Sequence, residues 1–297
     1  MNDSRLHSTL LGLDSRRGDE TRYLQIGDRQ IMLDGLDPTL CELLSLRWGG
    51  FVGAERRGDP ALEVRLFRAG SIGWLERKPS GERYRMEAIN DQERRVIVSY
   101  NFAICAEADP GVWRVAVKDE PDEPVDRLLD NVLRYFAARF AVQQGGVAMH
   151  AAGLLRDGKA YVLAGPSRAG KSTAVSLAGT ARSLGDDLAL VVRRSGGWAV
   201  PALPFDNSER VVHEIQPGPH PLAGIWRLHQ ASNTRIEHPS RGLAVASLMG
   251  VTAFPWAVPE LADPLLEQVK QLIDEGKFAH LHFSKGQEFW THLDALN

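Results

Sequence analysis

The run Gly165-Pro166-Ser167-Arg168-Ala169-Gly170-Lys171-Ser172 fits the pattern G-x-x-x-x-G-K-[ST] and is followed by Thr173. A β-like stretch, Ala160 to Ala164, comes before it and a helical stretch, Lys171 to Ala181, comes after. That is the strand-loop-helix setting a phosphate-binding loop needs. Glycines at 165 and 170 allow close backbone approach and unusual φ values, so several N–H groups can converge on one phosphate. The helix N-terminus adds partial positive charge. Lys171 can reach β- and γ-phosphates, and Ser172 offers a hydroxyl to Mg²⁺. Arg168 contacts a phosphate or points to solvent; the sequence does not choose.

Two neighbours of the loop carry ionisable groups. Asp186-Asp187 stands at the edge of an apolar, strand-forming run that continues through Leu188-Ala189-Leu190-Val191-Val192. Adjacent carboxylates in such a place repel and resist desolvation unless a cation neutralises them, which points to Mg²⁺. The β-like runs Val147 to Leu155 and Lys159 to Ala164 meet at Asp157-Gly158, a dipeptide suited to a type I′ turn. Antiparallel pairing outward from that turn sets His150 opposite Gly165, either beside a bound phosphate or as a hydrogen-bonded core histidine.

The rest of the chain supplies the frame. At 297 residues it has room for two domains. The 35 Lys and Arg nearly balance 38 Asp and Glu, so a net charge of -3 draws the chain to neither nucleic acid nor anionic membrane. Cys41 and Cys105 form no C-x-x-C pattern, which removes disulfide and cysteine-zinc frameworks and suits a reducing cytoplasm. No apolar leader marks Met1 to Arg17, and the nearly apolar stretch Leu243 to Val258 is too short to span a bilayer and reads as core.

Short β-like segments between Tyr23 and Val117, with one helix near Pro38 to Leu46, indicate a smaller β-rich α+β domain over 1–123. The acidic segment Lys118 to Pro124 reads as a linker or exposed loop. A second domain, 124–297, opens with an amphipathic helix from Val125 to about Phe140, ending near Gly145-Gly146. Its tail is expected to hold a helix capped by Asp263 with Pro264 at its first position, a strand at Ala279 to Phe283, and a short helix from Gln287 to Leu296.

Met149-His150-Ala151-Ala152-Gly153, the loop from Gly165 to Thr173 and the pair Asp186-Asp187 together resemble the catalytic domain of the HPr kinase/phosphorylase family, and more closely the HPr kinase-related proteins of bacterial gene cassettes. The resemblance implies an α/β P-loop kinase domain of the HPr kinase and phosphoenolpyruvate carboxykinase type. It also implies transfer of the γ-phosphate of ATP, with Mg²⁺, to a serine of a small protein or peptide. Lys171 would then hold phosphate, Ser172 and Asp186 the metal, and Asp187 would be the base with His150 beside base or phosphate. The two aspartate roles can be exchanged.

True HPr kinase/phosphorylases carry an I-R-G-x-G-I-like signature roughly where this chain has His220 to Leu228, and its absence points away from phosphorolysis and from HPr as acceptor. Arg227 and His229 in that segment are open to two readings, an acceptor site or the exposed basic edge of a strand. The competing functions are an ATP-binding regulatory or interaction protein and a small-molecule kinase. Monomer and homo-oligomer are equally compatible with the sequence.

Overall fold

The computed structural model describes residues 6–76, 85–91, 94–166, 169–177, 181–205, 218–253, 261–284 and 289–294. It is a mixed α/β structure with two sheets. Its contacts divide into two compact units, Met1–Gln25 with Arg29–Leu133, and Ile26–Asp28 with Arg134–Asn297.

In the first unit, α1 (Leu6–Leu11) precedes β1 (Glu20–Ile26), β2 (Arg29–Leu36), α2 (Pro38–Trp48), β3 (Val52–Gly53), β4 (Leu62–Ala69), β5 (Glu87–Asp91), β6 (Arg94–Val98), β7 (Phe102–Ala106) and β8 (Val112–Lys118). The strands form one sheet in the order β3-β1-β2-β4-β8-β7-β6-β5, parallel between β2 and β4 and between β4 and β8. Asp37 caps α2 by accepting from Leu40 N at 2.8 Å, with Pro38 at the first helical turn where its missing N–H costs nothing. Leu6 and Leu10 of α1 pack on Val96, Val98, Ala103, Cys105 and Ala116.

The acidic segment after β8 is more firmly held than its composition suggests. Asn101 donates to Glu123 Oε1 at 2.9 Å and accepts from Asp122 N at 2.8 Å, which lets Glu123 be buried with its carboxylate satisfied. The helix that follows, α3 (Val125–Gln143), buries Leu128, Leu129, Val132, Leu133, Phe136, Ala137 and Phe140 as its spacing predicts. The boundary between the units falls within it.

The second unit continues with β9 (Val147–Met149), β10 (Ala151–Arg156), β11 (Lys159–Ala164), α4 (Lys171–Ser176), β12 (Arg182–Asp186), β13 (Ala189–Arg194), β14 (Gly197–Val200), β15 (His220–Gln230), β16 (Arg235–Glu237), α5 (Arg241–Met249), α6 (Ala262–Asp274), β17 (Phe278–Phe283) and α7 (Phe289–Asp294). Its sheet runs β12-β10-β11-β15-β14-β13-β9, with β17 also on β15 and β16 on β17. Parallel pairing joins β15 to β11 and to β17. Leu163, Ala174, Trp226, Leu228, Leu281, Phe283, Trp290 and Leu293 form a core that seats α4 and α7 on one face.

Several expectations are corrected. The run Val147 to Leu155 is two strands, because His150 N turns aside to donate to Val251 O at 2.8 Å; β9 pairs with β13, whereas β10 pairs with β11 and β12. The helix after the loop runs from Lys171 to Ser176; its expected continuation toward Ala181 crosses residues 178–180, which lie outside the described residues, and Arg182 belongs to β12. Asp263 lies inside α6 and Leu261 takes the cap position. At Arg227 β15 is paired on both sides, with Ala164 of β11 and His280 of β17, so Arg227 does not mark a sheet edge; His229 pairs with His282 of β17.

Candidate functional site

The turn between β10 and β11 sets the site's register. Asp157 and Gly158 have φ of 51° and 75°, the paired positive values a type I′ turn requires. From there the strands pair from Arg156↔Lys159 out to Ala151↔Ala164, and Gly165 N donates to His150 O at 3.1 Å. His150 therefore faces the first residue of the glycine loop, as the pairing predicts.

Both glycines of the loop are required by space. A Cβ on Gly165 would lie 2.7 Å from Ala169 Cβ, and one on Gly170 would lie 2.7 Å from Phe283 Cζ, at a φ of 101°. Ser167 and Arg168 lie outside the described residues. Lys171 folds back across the loop, donating to Gly165 O at 2.9 Å and Pro166 O at 3.1 Å. Burial lowers its pKa from the ordinary lysine value, while the charges of Asp187 and Asp186 work in the other direction. Thr173 holds the short helix, its carbonyl accepting from Ser176 Oγ at 2.8 Å.

Asp186 ends β12, held opposite Ala152 of β10 and by its own N–H donating to Phe205 O at 3.1 Å. Only 7% exposed, it receives a long contact of 3.4 Å from Ser172 Oγ at its Oδ2. Asp187 takes another direction. Its Oδ2 accepts from Arg134 of α3 at 2.7 Å, and the Arg134 guanidinium also lies 5.6 Å from the centre of the Phe205 ring. The adjacent carboxylates thus serve two different partners, one the loop hydroxyl and the other a fixed cation.

His150 completes the group. Its side chain is exposed, yet the protein around it withholds enough water to push its pKa below the ordinary histidine value; the Asp187 charge opposes this, the Lys171 and Arg134 charges add to it, and a hydrogen bond to the Asp187 backbone opposes it. The ring is held toward its neutral form. Lys171, Ser172, Asp186, Asp187 and His150, which the sequence proposed, are brought together within one unit.

Residues 117–256 match the family described as SynChlorMet cassette protein ScmC. The matched stretch, just under half of the chain, covers α3, the glycine loop, both aspartates and α5. No curated protein matches the chain.

Two features escaped the sequence reading. Arg134 shares the polar face of α3 with Arg127 and Asn131 and has no periodicity signal of its own. A histidine cluster on β15 and β17 does have one: the alternation His280-x-His282 in a strand puts both rings on one face. Their rings lie 4.7 Å and 4.9 Å from that of His229. Burial lowers the pKa of both His229 and His280.

Proposed function

We propose that the chain is a Mg-ATP-dependent kinase that transfers the γ-phosphate to a hydroxyl, a serine of a small protein or peptide. The observation that carries this reading is the divergence of Asp186 and Asp187, one toward Ser172 and the other toward Arg134. The donor set fits the group it would hold. A serine hydroxyl and a buried carboxylate facing it at 3.4 Å are hard oxygen donors, the kind Mg²⁺ takes alongside phosphate oxygens. Lys171, Ser172, Asp186 and the loop backbone would hold Mg-ATP, which when bound supplies the phosphoryl group and neutralises its charge.

The chain's own residues do the remainder. Lys171, which donates to two loop carbonyls, would hold phosphate oxygens in their place when Mg-ATP is bound, a stronger charge-assisted contact. Arg134 holds one oxygen of Asp187, and the Asp187 carboxylate would take the proton of the acceptor hydroxyl. His150, held toward neutrality, adds a hydrogen-bonding group without adding positive charge beside Lys171. The description of the matching family as a cassette protein supports an acceptor encoded in the same gene cluster.

The Arg134–Asp187 ion pair also favours a second reading. A carboxylate already paired with guanidinium serves an ATP-binding regulatory protein that needs charge balance and no base. Incubation with ATP labelled in the γ-phosphate, together with serine-bearing small proteins of the gene cluster and HPr in parallel, separates the two. Acid-stable serine-linked label on a cluster protein is the expected result. Tight ATP binding without label on any protein would support the regulatory reading, and efficient labelling of HPr would restore the acceptor that the segment His220 to Leu228 argues against.

A further inference from the structure

We propose that Glu237, His280 and His282 form a second metal site, separate from the glycine loop, that takes a divalent cation of the zinc class with His229 as the fourth ligand. Strand register builds it. Glu237 of β16 pairs with His280 of β17, and His229 of β15 pairs with His282. Paired residues on neighbouring strands share a face, and His280 and His282 share one by alternation, so four groups from three strands project together. The ligand atoms of Glu237, His280 and His282 all lie within 4.8 Å of one another.

The surrounding contacts suit ligands. His280 is buried and its Nε2 meets Ser247 Oγ of α5 at 3.1 Å, the type of outer partner that orients a ligating imidazole. His282 Nε2 already meets Glu237 Oε2 at 2.9 Å. A plain histidine-carboxylate hydrogen bond would explain that pair alone. It would not explain His229, whose ring stacks on that of His282, lies beside that of His280, and whose Nε2 is buried with no hydrogen-bond partner among the described residues. Imidazole nitrogens with one carboxylate are the donors that zinc prefers, whereas the oxygen set of Ser172 and Asp186 suits magnesium, so the two sites select different ions. A cation here would tie the three-residue β16 to β17 and β15.

The test uses full-length untagged protein, stripped with chelator and kept in excess Mg²⁺ to occupy oxygen-donor sites. Co²⁺ is titrated and followed by its visible absorption, and Zn²⁺ is titrated by calorimetry. One saturating equivalent is expected. Glu237→Gln and His282→Gln should each weaken binding by roughly 10- to 100-fold with an unchanged circular dichroism spectrum. If His282→Gln does not fold, Glu237→Gln decides, since that side chain is half exposed. Absence of a saturating equivalent, or wild-type affinity in the folded variants, would overturn the site.

Discussion

Lys171 is held by two backbone carbonyls of its own loop, contacts that a triphosphate can replace with charge-assisted ones. Lys171→Ala should weaken Mg-ATP binding by roughly 10- to 100-fold, the worth of a hydrogen bond to a charged group. Calorimetric titration of both forms checks this, and equal affinities would remove the loop as the nucleotide site. His150 offers a test by pH. Its folded pKa is below the ordinary value of 6.5, so at mildly acid pH the unfolded chain binds the proton that the folded chain refuses. The stability it contributes is therefore present above about pH 6.5 and lost as pH falls toward the folded value. Denaturation midpoints between about pH 7 and pH 5 should fall more steeply in the wild type than in His150→Gln; parallel curves would show that His150 titrates as it does in the unfolded chain.

Elements show where sequence is informative. The β10–β11 hairpin was legible because a type I′ turn fixes register, and one register decides which residue faces the loop. The short α4 was not, since Val175 and Leu177 fit a continuing helix, and the pairing of β12 with β10 from Arg182 onward depends on contacts that helical spacing does not reveal. Arg134 was hidden for a similar reason: its partner is fixed by tertiary contact, not by spacing along α3. Two glycines test the hairpin's neighbourhood. Gly158 has a positive φ and open space around its would-be Cβ, so Gly158→Ala should cost only about 1–2 kcal/mol. Gly146 approaches β13 so closely that a Cβ would lie 2.1 Å from Val191 O, and Gly146→Ala should cost more than ~4 kcal/mol or prevent folding. Chemical denaturation of the pair checks the ranking, and a reversed order would contradict the pairing of β9 with β13.

At the scale of the molecule, the β-rich composition of the first 117 or so residues announced a sheet, but alternation cannot say that β2, β4 and β8 run parallel, because that order depends on long-range contacts. The second sheet brings the glycine loop, the aspartate pair and His150 together from neighbouring segments between His150 and Asp187, and the order of those segments is what the motifs had made visible. Among the described residues no helix is long and apolar enough to cross a membrane. The proposed transfer requires Asp187 to act as a base while Asp186 and Ser172 hold the metal. Phosphoryl transfer from ATP to the labelled acceptor, measured at saturating Mg-ATP in wild type and Asp187→Asn, tests this most directly. A loss on the order of 10²-fold or more, with ATP affinity retained, is the predicted result. Transfer by Asp187→Asn at the wild-type rate would contradict it.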